Sequence, residues 1–380
     1  MNRSTLLPGY GTATLSDLLP SVLGALGVAG EQDVLDLPRS ARYCVLLVDG
    51  LGEQQLRQHP VQAPFLTSLL SLPVASGDGF TATVPSTTAT SLTSLGTGLP
   101  PGRHGVVGYT SRVPGGNELF YPLAWRPRLD PDTYQPYPSV FQRAERAGVR
   151  VGVVGSRAFR DSGLTSVALR SGNYRPADTF GERVAVAADA ATHDTRTETG
   201  ALVYVYEGDL DFTGHAWGCQ SAAWRYQLGV VDRFAEQLHD ALPSDTTLLV
   251  TADHGMVDVA MSDRIDVDDI PALRENVELV GGEARFRHVY TRTGAGGEVC
   301  AAWAEVLGER ATVRTREQAV AEGWFGAVES RALERIGDVV ASIEGRCAVE
   351  RRAVFPNEAR LTGLHGALTA AEMRVPLLTS

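Results

Sequence analysis

The chain has no lysine: all 34 of its basic residues are arginine. Genomic base composition accounts for the bias, but its consequence is chemical. Mechanisms that need a Schiff-base lysine or a P-loop lysine are excluded. Cysteine is scarce. Cys44, Cys219, Cys300 and Cys347 form no CxxC pair and read as buried thiols in a reducing compartment. A membrane span is missing too. Residues 18–30 (LLPSVLGALGVAG) are apolar, but they follow Asp17, contain Pro20 and three glycines, and are too short to cross a bilayer. The expected location is cytoplasmic, with no membrane partner. Positive charge is in deficit, 34 basic against 45 acidic residues, for a net charge of −11. Such a surface repels nucleic-acid backbone, so no nucleic-acid duplex is expected as a partner. A phosphate-bearing substrate then needs a locally positive site, which bound metal ions supply.

What is present is enough for one large α/β domain with insertions, or two smaller domains. No internal repeat or low-complexity tract is evident. Three short apolar runs, Tyr43–Val48, Leu202–Tyr206 and Thr247–Thr251, are continuous rather than alternating. Such runs suit central strands covered on both faces. A fourth run, Val149–Val154, follows a helix-like stretch, Ser139–Ala147, that ends at Gly148. Residues 221–241 carry Trp224, Leu228, Val231, Phe234 and Leu238 at helical spacing. The alternation predicts a doubly wound, mostly parallel sheet flanked by helices. Residues 108–137, rich in Gly, Pro, Tyr and Trp, read as a long loop over one end of the sheet. Residues 262–350 have their own signals, including Phe286–Thr291 and Arg316–Val320. They read as a cap inserted into a core formed by residues 1–261 and 351–380.

Each central run leads to a candidate ligand. The first reaches Asp49-Gly50, the second Asp211 and His215, the third Asp253-His254-Gly255. In open α/β sheets, ligands collect beyond the carboxyl ends of the strands, so these three segments are expected to converge. Carboxylate and neutral imidazole are ligands for Zn²⁺ and also serve Mn²⁺ or Fe. Asp211 and His215 are four residues apart, on one side of a helical turn or tight loop. Singly, each piece is ordinary: an Asp-Gly is commonly a turn, and a DxxxH pair commonly a helix surface. A fourth piece, residues 84–98, is rich in Ser and Thr. It suits a helix cap, or a hydroxyl nucleophile at a helix N-terminus that favours phosphate. A threonine hydroxyl needs a base or a metal to ionise at neutral pH.

These residues resemble the alkaline phosphatase superfamily, and within it the type I phosphodiesterase/nucleotide pyrophosphatase family. The shared pattern reads here as Asp49, Thr88 nine residues ahead of Thr97-Gly98, His104-Gly105, Asp211 to His215, Asp253-His254-Gly255, and His365-Gly366. The resemblance implies two divalent metal ions, Zn²⁺ first, with Mn²⁺ or Fe as alternatives. One takes Asp211, His215 and His365; the other takes Asp49, Asp253, His254 and the Thr88 oxygen. It implies hydrolysis of phosphodiester or nucleotide pyrophosphate bonds through Thr88, on a small phosphate-ester substrate such as a nucleotide. Thr87 is an alternative nucleophile, and the spacing to Thr97 favours Thr88. Asp209 is an alternative to Asp211, but only Asp211 keeps the four-residue step to His215. Ser91 stands where the family usually has an Asn that binds a phosphoryl oxygen, which marks it as a substrate-binding position. His104 reads as structural, and His59, His193, His239 and His288 as surface or packing residues. Tyr109, Tyr121 and Trp125 either stack on a base or pack the loop. Arg157, Arg285 and Arg287 read as solvated charges, with phosphate contact or capping as the alternative. The same core also serves phosphomonoesters. It serves phosphonates as well, though that reading leans on lysines absent here. A non-catalytic metal- or ligand-binding protein is the alternative of another class.

Overall fold

A computed structural model describes residues 5–70, 79–170, 173–192 and 199–380. The main sheet is built from strands β1 (Arg42–Val48), β2 (Val149–Gly155), β3 (Tyr174–Pro176), β4 (Gly200–Glu207) and β5 (Thr246–Thr251). A second sheet uses β6 (Val277–Glu283), β7 (Phe286–Thr291), β8 (Ala311–Thr315) and β9 (Val339–Ile343). The last strand, β10 (Leu377–Thr379), returns to the first sheet.

The main sheet has the order β10-β5-β1-β4-β2-β3, and every pairing but that of β10 with β5 is parallel. All seven residues of β1 are buried, as a central strand covered on both faces requires. Pairing of Val48 with Glu207, and of Leu47 with Thr251, brings the carboxyl ends of β1, β4 and β5 level. The four apolar runs are thus strands of one parallel sheet. The antiparallel edge strand β10 has no counterpart among the sequence-based expectations.

Four helices matter for the site: α1 (Leu15–Ala25), α2 (Thr88–Thr97), α3 (Asp209–Trp217) and α4 (Ala222–Ala241). The apolar 18–30 stretch is largely α1, capped by Thr14 and Asp17. In α4, Trp224, Leu228, Val231, Phe234 and Leu238 are all buried, and Ser221 caps Trp224 N. Helix α2 is buried on nearly every side. It can lie that deep because Gly96 has no side chain; a Cβ there would sit 1.7 Å from Ala168 O.

The second sheet is antiparallel, in the order β6-β7-β9-β8. It has its own apolar core around Val280, Val289, Trp303 and Ile343, while Phe286 and Val340 join the main core. Residues 108–137 are more ordered than a long loop. Ser111–Arg112 pairs with Leu119–Phe120, and Phe120, Trp125 and Tyr134 pack ring against ring. Trp125 therefore packs this segment, and its indole N–H donates to Leu129 O at 2.7 Å.

Two arginines read as surface charges are in fact fully buried. Arg285 forms a two-point ion pair with Glu372, at 3.0 and 2.6 Å. Arg287 pairs with Glu358 and donates to Val349 O at 2.7 Å. Arg285, just before β7, and Arg287 within it fall on one side of the extended chain, and that side meets the chain near its C-terminus. Arg157 is exposed, with Asp178 3.5 Å away. His104 is buried and bonded to Ser94 Oγ at 2.8 Å, and His288 to Val107 O at 2.8 Å. His59 packs edge-on to Trp224, and His239 bonds Ser380 Oγ. His193 lies outside the described residues. Among the described residues no helix is long and apolar enough to cross a membrane, and the four cysteines are unpaired.

Candidate active site

Asp49 follows β1, Asp253 lies two residues past β5, and Asp211 and His215 sit on α3, just past β4. The turn after β1 needs Gly50, whose φ is 75°, a conformation costly for other residues. A Cβ at Gly50 would also come within 3.0 Å of Asp211. Asp211 is thereby held beside Asp49. Asp209 points elsewhere: it is exposed at the start of α3.

His254 Nε2 lies 3.3 Å from Asp49 Oδ1, 3.7 Å from Asp253 Oδ2 and 3.3 Å from Thr88 Oγ1. His215 Nε2 lies 3.3 Å from Asp211 Oδ2. The His365 ring stacks on His254 at 3.7 Å between centroids and stands 5.1 Å from His215. Two groups have the mutual spacing of a cation site: Asp211, His215 and His365; and Asp49, Asp211 and His254. Asp211 belongs to both. Asp253 borders the second group through His254.

Three features suit these groups to cations. The Nδ1 atoms of His215, His254 and His365 face the carbonyls of Gly363, Gly255 and Ser86 at 2.8–3.0 Å. An Nδ1–H donated there leaves Nε2 as the ligating atom, the arrangement metal-ligating histidines use. Asp49 Oδ1, Asp211 Oδ1 and Asp253 Oδ2 are buried with no hydrogen-bond partner. Lastly, the crowded charges are unfavourable as they stand. Burial first, then Asp253 and Asp211, pushes Asp49 well above the carboxylate range. Burial also raises Asp253, against the opposing pull of His254. Burial, then His254 and His215, holds His365 well below the usual histidine range, so it is a neutral imidazole. Buried carboxylate oxygens short of donors, set beside imidazole nitrogens, are the donor set a divalent ion completes.

Thr88 is the first residue of α2 and is half-buried. Its neighbour Thr87 is 1% exposed, and its hydroxyl donates to Glu283 Oε2 at 3.1 Å. Thr88 also lines both cavities that meet at the site, whereas Thr87 lines only one. Ser91 lies one turn further along, fully buried, its Oγ without a partner; it lines neither cavity. Tyr109 and Tyr121 do line one of them.

Two residues of the site carried no signal in the sequence reading. Tyr206 donates its hydroxyl to Asp49 Oδ2 at 2.5 Å. Period-two alternation along β4 puts Tyr206 on the face of Tyr204, but nothing local indicates its partner. Glu283, at the end of β6, accepts from Thr87 and lies 3.5 Å from His365 Nδ1.

A parallel sheet with carboxylates and imidazoles gathered at its strand ends, facing a threonine at a helix N-terminus, defines an alkaline phosphatase-like phosphoric ester hydrolase. The chain belongs to the type I phosphodiesterase/nucleotide pyrophosphatase family, which it matches over residues 43–368. Among solved structures, it is similar to murine ectonucleotide pyrophosphatase/phosphodiesterase 5, captured as an inactive threonine-to-alanine variant in complex with AMP. The identity is 20%, the TM-score 0.68, and the match covers 89% of this chain and 87% of that one. The human counterpart gives the same figures. No match is found among curated proteins.

Proposed function

We propose that this chain hydrolyses phosphodiester or nucleotide pyrophosphate bonds by double displacement, with Thr88 as nucleophile and two divalent cations as cofactors. Asp211, His215 and His365 would hold one cation. Asp49, Asp253, His254 and the Thr88 oxygen would hold the other, with Asp211 at ligand spacing to this group as well. Zn²⁺ suits this mixture of carboxylate and imidazole best, with Mn²⁺ or Fe as alternatives. When bound, the cations supply Lewis-acid charge that favours the ionised threonine hydroxyl and the departing oxygen.

The protein's own part is placement. Helix α2 aims Thr88 into the cavities, and its first-turn N–H groups lack a side-chain cap and can receive phosphate oxygens. Thr88 Oγ1 forms a bond to phosphorus as the bond to the leaving oxygen breaks, and water then releases the phosphorylated threonine. Ser91, one turn further along α2, is buried outside both cavities, so it would donate to phosphate only if the start of the helix shifts. We read residues 262–350 as a cap whose Glu283 braces Thr87 and His365.

The observation that carries this reading is the set of three unpartnered carboxylate oxygens and three histidines gathered beside one half-buried threonine. The solved relative, inactive as a threonine-to-alanine variant and bound to AMP, supports both the nucleophile and a nucleotide-like substrate. Phosphomonoester hydrolysis is less favoured, because neither cavity is lined by an arginine among the described residues.

The test is turnover of bis-p-nitrophenyl phosphate and p-nitrophenyl phosphate with zinc or manganese supplied. The diester should be cleaved faster, and Thr88→Ala should abolish turnover while keeping fold and metal. Faster monoester cleavage would overturn the substrate assignment. Undiminished activity in Thr88→Ala would move the role to Thr87 or defeat the mechanism. No turnover with metal bound would favour a non-catalytic binding protein.

A further inference from the structure

The two cavities that meet at Thr88 differ in kind. One, about 280 Å³, is walled chiefly by apolar and aromatic residues, among them Leu92, Leu123, Val153, Phe159 and Tyr204. The other, about 430 Å³, takes in Asp211, His215 and His365 of the candidate cation site and also carries Tyr109, Tyr121 and Phe355 with two glutamates, Glu283 and Glu358. Both glutamates are 8% exposed, and Oε1 of each has no hydrogen-bond partner. Glu358 gives its other oxygen to the buried Arg287. Glu283 has only the Thr87 hydroxyl at 3.1 Å and His365 Nδ1 at 3.5 Å.

A nearly closed carboxylate with an unused acceptor is costly until a donor arrives. An anionic arm, such as the second phosphate of a pyrophosphate, would meet these acceptor oxygens with no arginine on the wall among the described residues. An arm ending in a primary ammonium brings the opposite charge and three N–H donors. The aromatic walls add cation–π attraction.

We propose that this second cavity is a subsite for a primary alkylammonium arm, so that the enzyme selects zwitterionic phosphodiesters over pyrophosphates. The proposal rests on the Thr88-centred hydrolase reading and narrows its substrate class. Glu283 and Glu358 are its specificity-determining residues.

The test uses the full chain loaded with zinc or manganese and three p-nitrophenyl diesters that share one leaving group. Their second arms are 2-aminoethyl, ethyl and carboxymethyl. The expected order of kcat/KM is aminoethyl, then ethyl, then carboxymethyl, with the first step about tenfold. In Glu283→Gln and in Glu358→Gln the aminoethyl-to-ethyl ratio should fall towards one. That ratio is taken within a single preparation, so lost metal or misfolded protein does not move it. Equal rates on the aminoethyl and ethyl substrates in the native enzyme would overturn the subsite, as would a preference unchanged in both variants. If Glu358→Gln fails to fold because Arg287 loses its partner, the native series and Glu283→Gln still decide. Silence on all three diesters with metal bound would be a different result: it would overturn the hydrolase reading and the subsite with it.

Discussion

Asp49, Asp253 and His254 have side chains 4, 0 and 0% exposed, whereas Asp211 and His215 are 15 and 22% exposed beside His365 at 6%. The closed corner sits just past the ends of paired strands, where register brings the positions together. The open corner is assembled from a helix and a late loop, and it faces the larger cavity. Burial of like charges makes the closed corner the one that most needs a cation. The open corner is the one solvent and chelators reach first. Asp211, common to both, couples them.

That contrast can be broken most severely at Asp211. Asp211→Asn should lower turnover about a thousandfold or more, because both corners lose a charged ligand. An effect confined to one metal, seen by metal analysis, would show that Asp211 does not serve both. His365→Ala comes next. It should reduce bound metal from about two ions per chain to about one and cut activity about a hundredfold. Unchanged metal content would remove His365 from the ligand set. Tyr206→Phe should have the smallest effect, about tenfold in activity or metal affinity, by freeing Asp49 from its hydroxyl donor. A Tyr206→Phe enzyme with native metal affinity and native rate would leave the short Tyr206–Asp49 hydrogen bond without a role.

The same contrast explains what was legible in the sequence. Asp49, Asp253-His254 and Asp211 to His215 each follow a continuous apolar run, and such runs become parallel strands whose carboxyl ends coincide. Periodicity therefore located the strand-end ligands without any knowledge of tertiary contacts. His365 has no run before it and was reached only through family resemblance. Its place depends on Ser86 O and on the buried Arg285–Glu372 pair, which ties β7 to the segment just beyond it. Arg285 and Arg287 misled for a related reason. A charged residue on a strand reads as solvated until its partner, some 70 to 90 positions away, is known. Residues 108–137 looked like loop because Gly and Pro punctuate them, yet their aromatics pack on one another and Thr110 ties the segment to β6. Glu283 stayed invisible because a glutamate ending a strand carries no local sign of contacts with Thr87, His365 and Gly366, all distant in sequence.

The account stands on Thr88 attacking phosphorus before water does. The most direct measurement is the stereochemical course of hydrolysis of a phosphorothioate diester chiral at phosphorus. Each in-line displacement inverts the centre, so attack by Thr88 followed by attack of water predicts overall retention. Inversion would mean a single displacement by water, and would contradict the mechanism built on Thr88.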